Sequence, residues 1–119
     1  MHNLKELKIW IKSMELVKKV YLLIPEIPKD EKYGLIDQIK RCAISIPSNI
    51  AEGAGRNSKK EFAHFLGIAN GSSFELYTQI KLLENLNLVK HSSIIEIFVD
   101  IEEIQKMIFS FKKMLIKPK

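Results

Sequence analysis

Residues 58–83 read SKKEFAHFLGIANGSSFELYTQIKLL, and this run decides the fold class. Ser58 followed three residues later by Glu61 is a capping box. The hydroxyl takes a free N–H of the first helical turn, and the carboxylate reaches back to the cap. Beyond it, Phe62, Leu66, Ala69, Ser73, Leu76, Ile80 and Leu83 step alternately by four and three. That period sets all seven on one helix face, with the repeat of helices packed nearly parallel in a bundle. A strand would need alternation by two, which the run does not sustain.

The same alternation recurs on both sides. A first seam is Leu7, Trp10, Met14, Val17, Tyr21 and Ile24, and a second is Ile36, Ile39, Ala43, Ile46 and Ile50. A fourth is Ile94, Ile97, Ile101, Ile104, Ile108, Phe111 and Leu115. Ser73 is the one polar residue in the four seams, so the pattern is too regular to be chance spacing. Pro25 and Pro28 end the first helix, because neither can continue it. Asp30 is placed to cap the second helix, which runs to Gly53 or Gly55. Ser93 and Glu96 form another capping box, opening the fourth. The loop near Asn87 to Ser92 is short, and short loops force neighbouring helices antiparallel. The expected architecture is an all-α, up-down-up-down antiparallel four-helix bundle, a single domain over residues 1–119.

Two features strain local rules. Pro47 falls inside the second helical pattern and predicts a kink or a restart there. Ala63, Gly67 and Gly71 make a small-residue stripe on the third helix. Glycine inside a helix costs about 1 kcal/mol relative to alanine, so close packing within the bundle is expected in return. The first and fourth helices carry further apolar residues beyond their seams: Ile9, Leu16, Val20 and Leu23 on one, Ile95, Phe98, Val99, Phe109, Met114 and Ile116 on the other. A second apolar stripe points to burial on a second side, hence to self-association, unless the core merely takes a broad face.

The composition bounds the class. Hydrophobic residues make up 46% and charged residues 28%, which is globular rather than disordered. The single cysteine, Cys42, rules out an intrachain disulfide and fits a reducing compartment, so a cytoplasmic location is expected. No signal-peptide pattern is visible, and charges interrupt every apolar run before membrane length. The net charge is +5. Residues 1–60 hold 12 Lys/Arg against 7 Asp/Glu, whereas residues 61–119 hold 7 of each. The bias fits either an anionic partner or a Lys-rich surface.

Catalytic patterns fail on inspection. Glu61 and His64 form a Glu-x-x-His pair, but di-metal bundles need two such pairs, and neither His2 nor His91 supplies the second. No metal, cofactor or small-molecule substrate is expected. Gly53-Ala54-Gly55-Arg56-Asn57-Ser58 follows a helix rather than a strand and lacks a Walker lysine, so it reads as a helix end and a new cap. Cys42 has no histidine near it in sequence and reads as a packing residue. One cluster remains. Arg56, Lys59 and Lys60 surround the start of the third helix, where free N–H groups carry positive partial charge. Three cations there make an anion site for phosphate, which Lys40 and Arg41 would extend, or else a solvated turn.

Several strings resemble a known family. They are Lys8-Ile9-Trp10 with Met14-Glu15-Leu16-Val17, then Lys32-Tyr33-Gly34-Leu35, Gln38-Ile39-Lys40-Arg41 and Ser45-Ile46-Pro47-Ser48-Asn49-Ile50-Ala51-Glu52-Gly53. Gly55-Arg56, Lys59-Lys60-Glu61-Phe62, Phe65-Leu66, Gly71-Ser72 and Glu75-Leu76 continue them. The chain resembles the four-helix-bundle proteins encoded in 23S rRNA intervening sequences, with a more distant likeness to the accessory variability proteins of diversity-generating retroelements. The resemblance implies a homopentameric assembly without enzymatic activity. Through the retroelement relatives it implies nucleic-acid binding and a reverse transcriptase or other protein partner. The signature residues Pro47, Ser48, Asn49, Glu52 and Gly53 also admit a purely structural role, in which Ser48, Asn49 or Glu52 closes hydrogen bonds near the proline or across a subunit interface.

The sequence therefore leads us to expect a non-enzymatic, homo-oligomeric scaffold that binds structured RNA or DNA through phosphates at Arg56, Lys59, Lys60, Lys40 and Arg41. The competing expectation is a protein-interaction module with no nucleic-acid role.

Overall fold

The computed structural model describes residues 2–117, apart from the side chains of Lys32 and Tyr33. Four long helices account for most of it: α1 (Lys8–Leu23), α2 (Asp37–Ala54), α3 (Lys59–Asn85) and α4 (His91–Leu115). No strand occurs among the described residues. The bundle is a rod of 50 × 22 × 20 Å. Its length follows from helices of 25 and 27 residues, which at 1.5 Å per residue span about 40 Å.

Cross-helix pairs set the topology. Lys12 meets Glu103 and Lys19 meets Glu96, so α1 and α4 run antiparallel. Ser45 meets Ser72 while Cys42 meets Gln79, which opposes α2 and α3. Ser73 meets Gln105 and Glu84 meets His91, which opposes α3 and α4. One hydrophobic cluster draws on all four helices, with Leu16, Ile39, Ile46, Ile50, Leu66, Leu76, Ile80 and Ile101 wholly buried. Each such side chain contributes about 1.5–3 kcal/mol relative to exposure.

The second and third seams are buried throughout, and the fourth is buried apart from Phe111, which is half-buried. The first seam is a correction. The face of α1 turned to the core is Ile9, Ser13, Leu16, Val20 and Leu23, continued by Ile27. Met14 and Tyr21 are 47% and 40% exposed. The apolar run Leu7-Trp10-Met14-Val17-Tyr21-Ile24 is unbroken, whereas the true stripe contains a serine. Ser13 tolerates full burial because its hydroxyl donates to the carbonyl of Trp10 at 2.8 Å.

The helix ends need similar adjustment. Ser58 caps α3 as expected, its Oγ accepting the N–H of Glu61 at 3.1 Å. The expected box at Ser93–Glu96 does not open α4, which starts at His91 without a side-chain cap. Asp30 does not cap α2 either. It lies in a 3₁₀ turn, Lys29–Glu31, followed by a π-helical turn, Lys32–Ile36, that feeds directly into α2. α3 closes in a Schellman motif: the N–H of Leu88 reaches the carbonyl of Leu83, and that of Asn87 the carbonyl of Glu84. Asn87 takes the left-handed conformation this motif demands, with φ at 54°. α2 passes through Pro47 without restarting. The small stripe on α3 also departs in part from expectation. A Cβ on Gly71 would meet nothing within 4 Å, and one on Gly67 only the Lys112 ammonium at 3.4 Å. Ala63 is buried in the bundle as expected, Gly67 is half-buried, and Gly71 faces outward.

Candidate functional site

The α2–α3 turn positions the cationic cluster. α2 ends at Ala54, Gly55 carries the chain round, and α3 begins at Lys59. The turn is tight because Gly53 lies against α3. A Cβ there would stand 2.8 Å from Phe62 Cδ1 and 2.9 Å from Phe65 Cβ. Arg56 bridges to Glu52 at 3.0 Å and lies over the Phe65 ring, 4.8 Å from its centroid. Its charge is therefore partly spent on a surface pair, of a kind worth about 0–1 kcal/mol. Lys59 and Lys60 are exposed on the first turn of α3, where backbone N–H groups point outward. Glu52 and Glu61 share the cleft beside them with Ser48, Arg56 and Asn57. The turn and the first residues of α3 thus carry three cations, with two carboxylates beside them.

Lys40 and Arg41 are not part of this cluster. Arg41 lies on α2 thirteen residues before its end at Ala54, roughly 20 Å from the turn at 1.5 Å per residue. The Lys40 ammonium lies over the Tyr21 ring, 5.6 Å from its centroid.

The signature residues divide by direction. Pro47 and Gly53 are buried packing positions. Asn49 donates to the Ser45 carbonyl at 2.8 Å and to Ser45 Oγ at 2.9 Å, and Ser45 Oγ pairs with Ser72 Oγ at 2.8 Å. That chain of bonds ties α2 to α3. Ser48 and Glu52 face outward and line the cleft. Of the three residues considered for closing hydrogen bonds, Asn49 does so, and at the Ser45 carbonyl.

The charge pattern that matters became visible only with the fold. The antiparallel arrangement gathers residues 2–11, 46–71 and 104–117 into one half of the rod. That half holds nine Lys/Arg and three Asp/Glu. The other half, residues 12–45 and 72–103, holds nine and eleven. Lys5, Lys8, Lys106, Lys112, Lys113 and Lys117 thus join Arg56, Lys59 and Lys60. Sequence reading missed these six. The signal was present, since no acidic residue follows Glu103, but counting by chain halves averaged it away.

Outside this end, Asp100 is the buried charge. It is 4% exposed on α4, with Lys19 at 2.7 Å and Lys12 at 3.2 Å. Burial pushes its carboxyl up, but hydrogen bonds from the two lysines outweigh burial and hold it below the ordinary carboxylate range. Cys42 is buried, and burial pushes its thiol up. Gln79 donates to its sulfur at 3.3 Å. A thiol held protonated in this way is a packing group, not a nucleophile. Among the described residues no cluster of three or more His, Cys, Asp or Glu is placed to hold a metal ion. No described helix is long and apolar enough to cross a membrane.

Comparison with known proteins bears on residues 5–110, which match the family model for 23S rRNA-intervening sequence proteins. No curated protein matches. Among solved structures, the chain is similar to a protein of unknown function from the S23 ribosomal protein family of Bacteroides thetaiotaomicron. The TM-score is 0.80 at 26% identity, over 88% of this chain and 98% of that one.

Proposed function

This chain belongs to the 23S rRNA-intervening sequence protein family, and from that premise we propose that it is a non-enzymatic helical scaffold that self-associates and binds structured nucleic acid through phosphates. The observation that carries the nucleic-acid reading is the split of charge along the rod, with nine cations and three carboxylates at one end. Phosphate contacts from lysine and arginine release condensed counterions. They supply affinity without reading sequence, which suits a surface that has many flexible cations and no fixed recognition element. Lys59 and Lys60 at the start of α3 are the centre of this surface, with Arg56 beside them. Lys112, Lys113 and Lys117 extend it. Lys40 and Arg41 form a separate, smaller contact on α2.

Self-association rests on a different observation. Large apolar side chains stand exposed on α1 and α4, with Leu22 at 69% and Phe109 at 70%. Outward-facing Gly71 also leaves room for a second backbone. A ring of five copies, partnered by a reverse transcriptase or another protein, is what the family resemblance implies, and the single cysteine fits a cytoplasmic location. The same apolar exposure favours the second reading, a protein-interaction module without a nucleic-acid role.

The deciding experiment is fluorescence anisotropy with a labelled RNA hairpin and a duplex DNA across a salt series. Log affinity should fall linearly with log salt, with a slope near −0.9 per phosphate contacted on the duplex. Replacing Arg56, Lys59 and Lys60 together by Glu should weaken binding by at least about tenfold at low salt and flatten that slope. Absence of binding at the lowest salt would overturn the nucleic-acid reading. Undiminished binding by the folded triple variant would move the site elsewhere.

A further inference from the structure

We propose that the groove between the first turn of α1 and the last three turns of α4 is a docking site for an acidic amphipathic segment of a partner protein. The groove has a volume of about 580 Å³ and is open along one side. Its floor is Leu7, Ile9, Met107, Phe111 and Met114. Lys8 and Lys106 stand on its rim, both exposed. A second shallow groove adjoins it across Ser110 and Met114, and brings in Lys113, Ile116 and Lys117.

Three observations select the occupant. First, the chemistry is paired: apolar floor and cationic rim lie within one side chain's length of each other. The complementary ligand alternates apolar anchors with carboxylates, as an amphipathic helix does. Residues 106–117, the end of α4 and the two residues after it, carry four lysines and no acidic residue, and Glu6 is the one carboxylate in the groove lining. Second, the surface is concave between two elements. A bilayer presents no knobs to fill such a groove, whereas helix side chains do. Third, two of the chain's four methionines, Met107 and Met114, lie in it. Unbranched, polarisable methionine adapts to differing apolar anchors and is overused where helices are captured. Met114 is 60% exposed, so this is unspent apolar surface at the cationic end of the rod.

The test uses the full chain and a fluorescein-labelled helical peptide with Leu at positions i, i+3, i+4 and i+7 and Glu on its other faces. A scrambled peptide of the same composition and vesicles of equal parts phosphatidylserine and phosphatidylcholine are run beside it. The patterned peptide should bind at least tenfold more tightly than the scrambled one. Met114→Asp, and separately Lys8→Glu with Lys106→Glu, should each reduce that binding tenfold or more. All three positions are exposed, and circular dichroism should report unchanged helicity. Equal binding of both peptides would reduce the site to bulk charge and overturn the proposal. So would retention on vesicles without peptide binding, or failure of both peptides. A drop in assembly mass on Met114→Asp without peptide binding would assign the groove to a second copy and overturn it as well.

Discussion

Asp100 decides how α1 and α4 hold together, because it is the buried carboxylate that Lys12 and Lys19 both reach. The two lysines are 23% and 33% exposed at their side chains, so water screens part of the interaction. Asp100→Asn should therefore cost about 1–2 kcal/mol at neutral pH, the low end for hydrogen bonds to charged groups. The pH dependence has a definite sign. A carboxyl held below its ordinary value of about 3.9 contributes fully above that value, and loses its contribution as pH falls through the folded one. Urea midpoints of the two proteins should differ at pH 7 and converge in acid. A gap that persists unchanged into acid would mean that the carboxylate charge is not what matters.

At the scale of the element, two glycines of similar appearance have opposite jobs. Gly53 lets the end of α2 touch the start of α3, where a Cβ would meet Phe62 Cδ1 at 2.8 Å and the Phe62 carbonyl at 3.2 Å. Because one of those neighbours is backbone, Gly53→Ala should destabilise by about 1–3 kcal/mol, as overpacking does. Gly71 has open space around it, so Gly71→Ala should raise helix stability by up to about 1 kcal/mol. Thermal melts of both variants check the pair. A melting temperature lowered by Gly71→Ala would place that stripe against a second chain. The expectation that the stripe packs inside the bundle holds at Ala63 and fails at Gly71, because a four-residue spacing shows that small residues lie near one another on a helix but not how far round the buried face extends.

For the whole molecule, the question is what covers the exposed apolar side chains on α1 and α4. Light scattering and native mass spectrometry should return an integer multiple of 13.8 kDa that survives dilution, with five copies as the expected number. A monomer at all concentrations would leave Leu22 and Phe109 free for other proteins and favour the interaction-module reading. The same measurement in high salt separates the two surfaces, since apolar association is little screened while phosphate contacts are strongly so.

Some of this was already settled in the chain. The four-and-three spacing of Phe62 to Leu83, repeated in three other segments, specified helices in a bundle, because period alone dictates which residues share a face. Ser58 specified its own cap, since the motif is local. The candidate cations Arg56, Lys59 and Lys60 were equally legible, being near neighbours in sequence. Tertiary structure decided the rest. Which apolar stripe of α1 turns inward was settled by the other three helices, and the buried Ser13 sits on the stripe they chose. The start of α2 was settled by a π-helical turn that Asp30 does not signal. Charge polarity depended on antiparallel packing, which brings the end of α4 back to the N-terminal part of α3, with Lys112 beside Gly67, while leaving Arg41 far along α2. Proximity across a fold depends on how elements are stacked, and a one-dimensional count of charges cannot contain it.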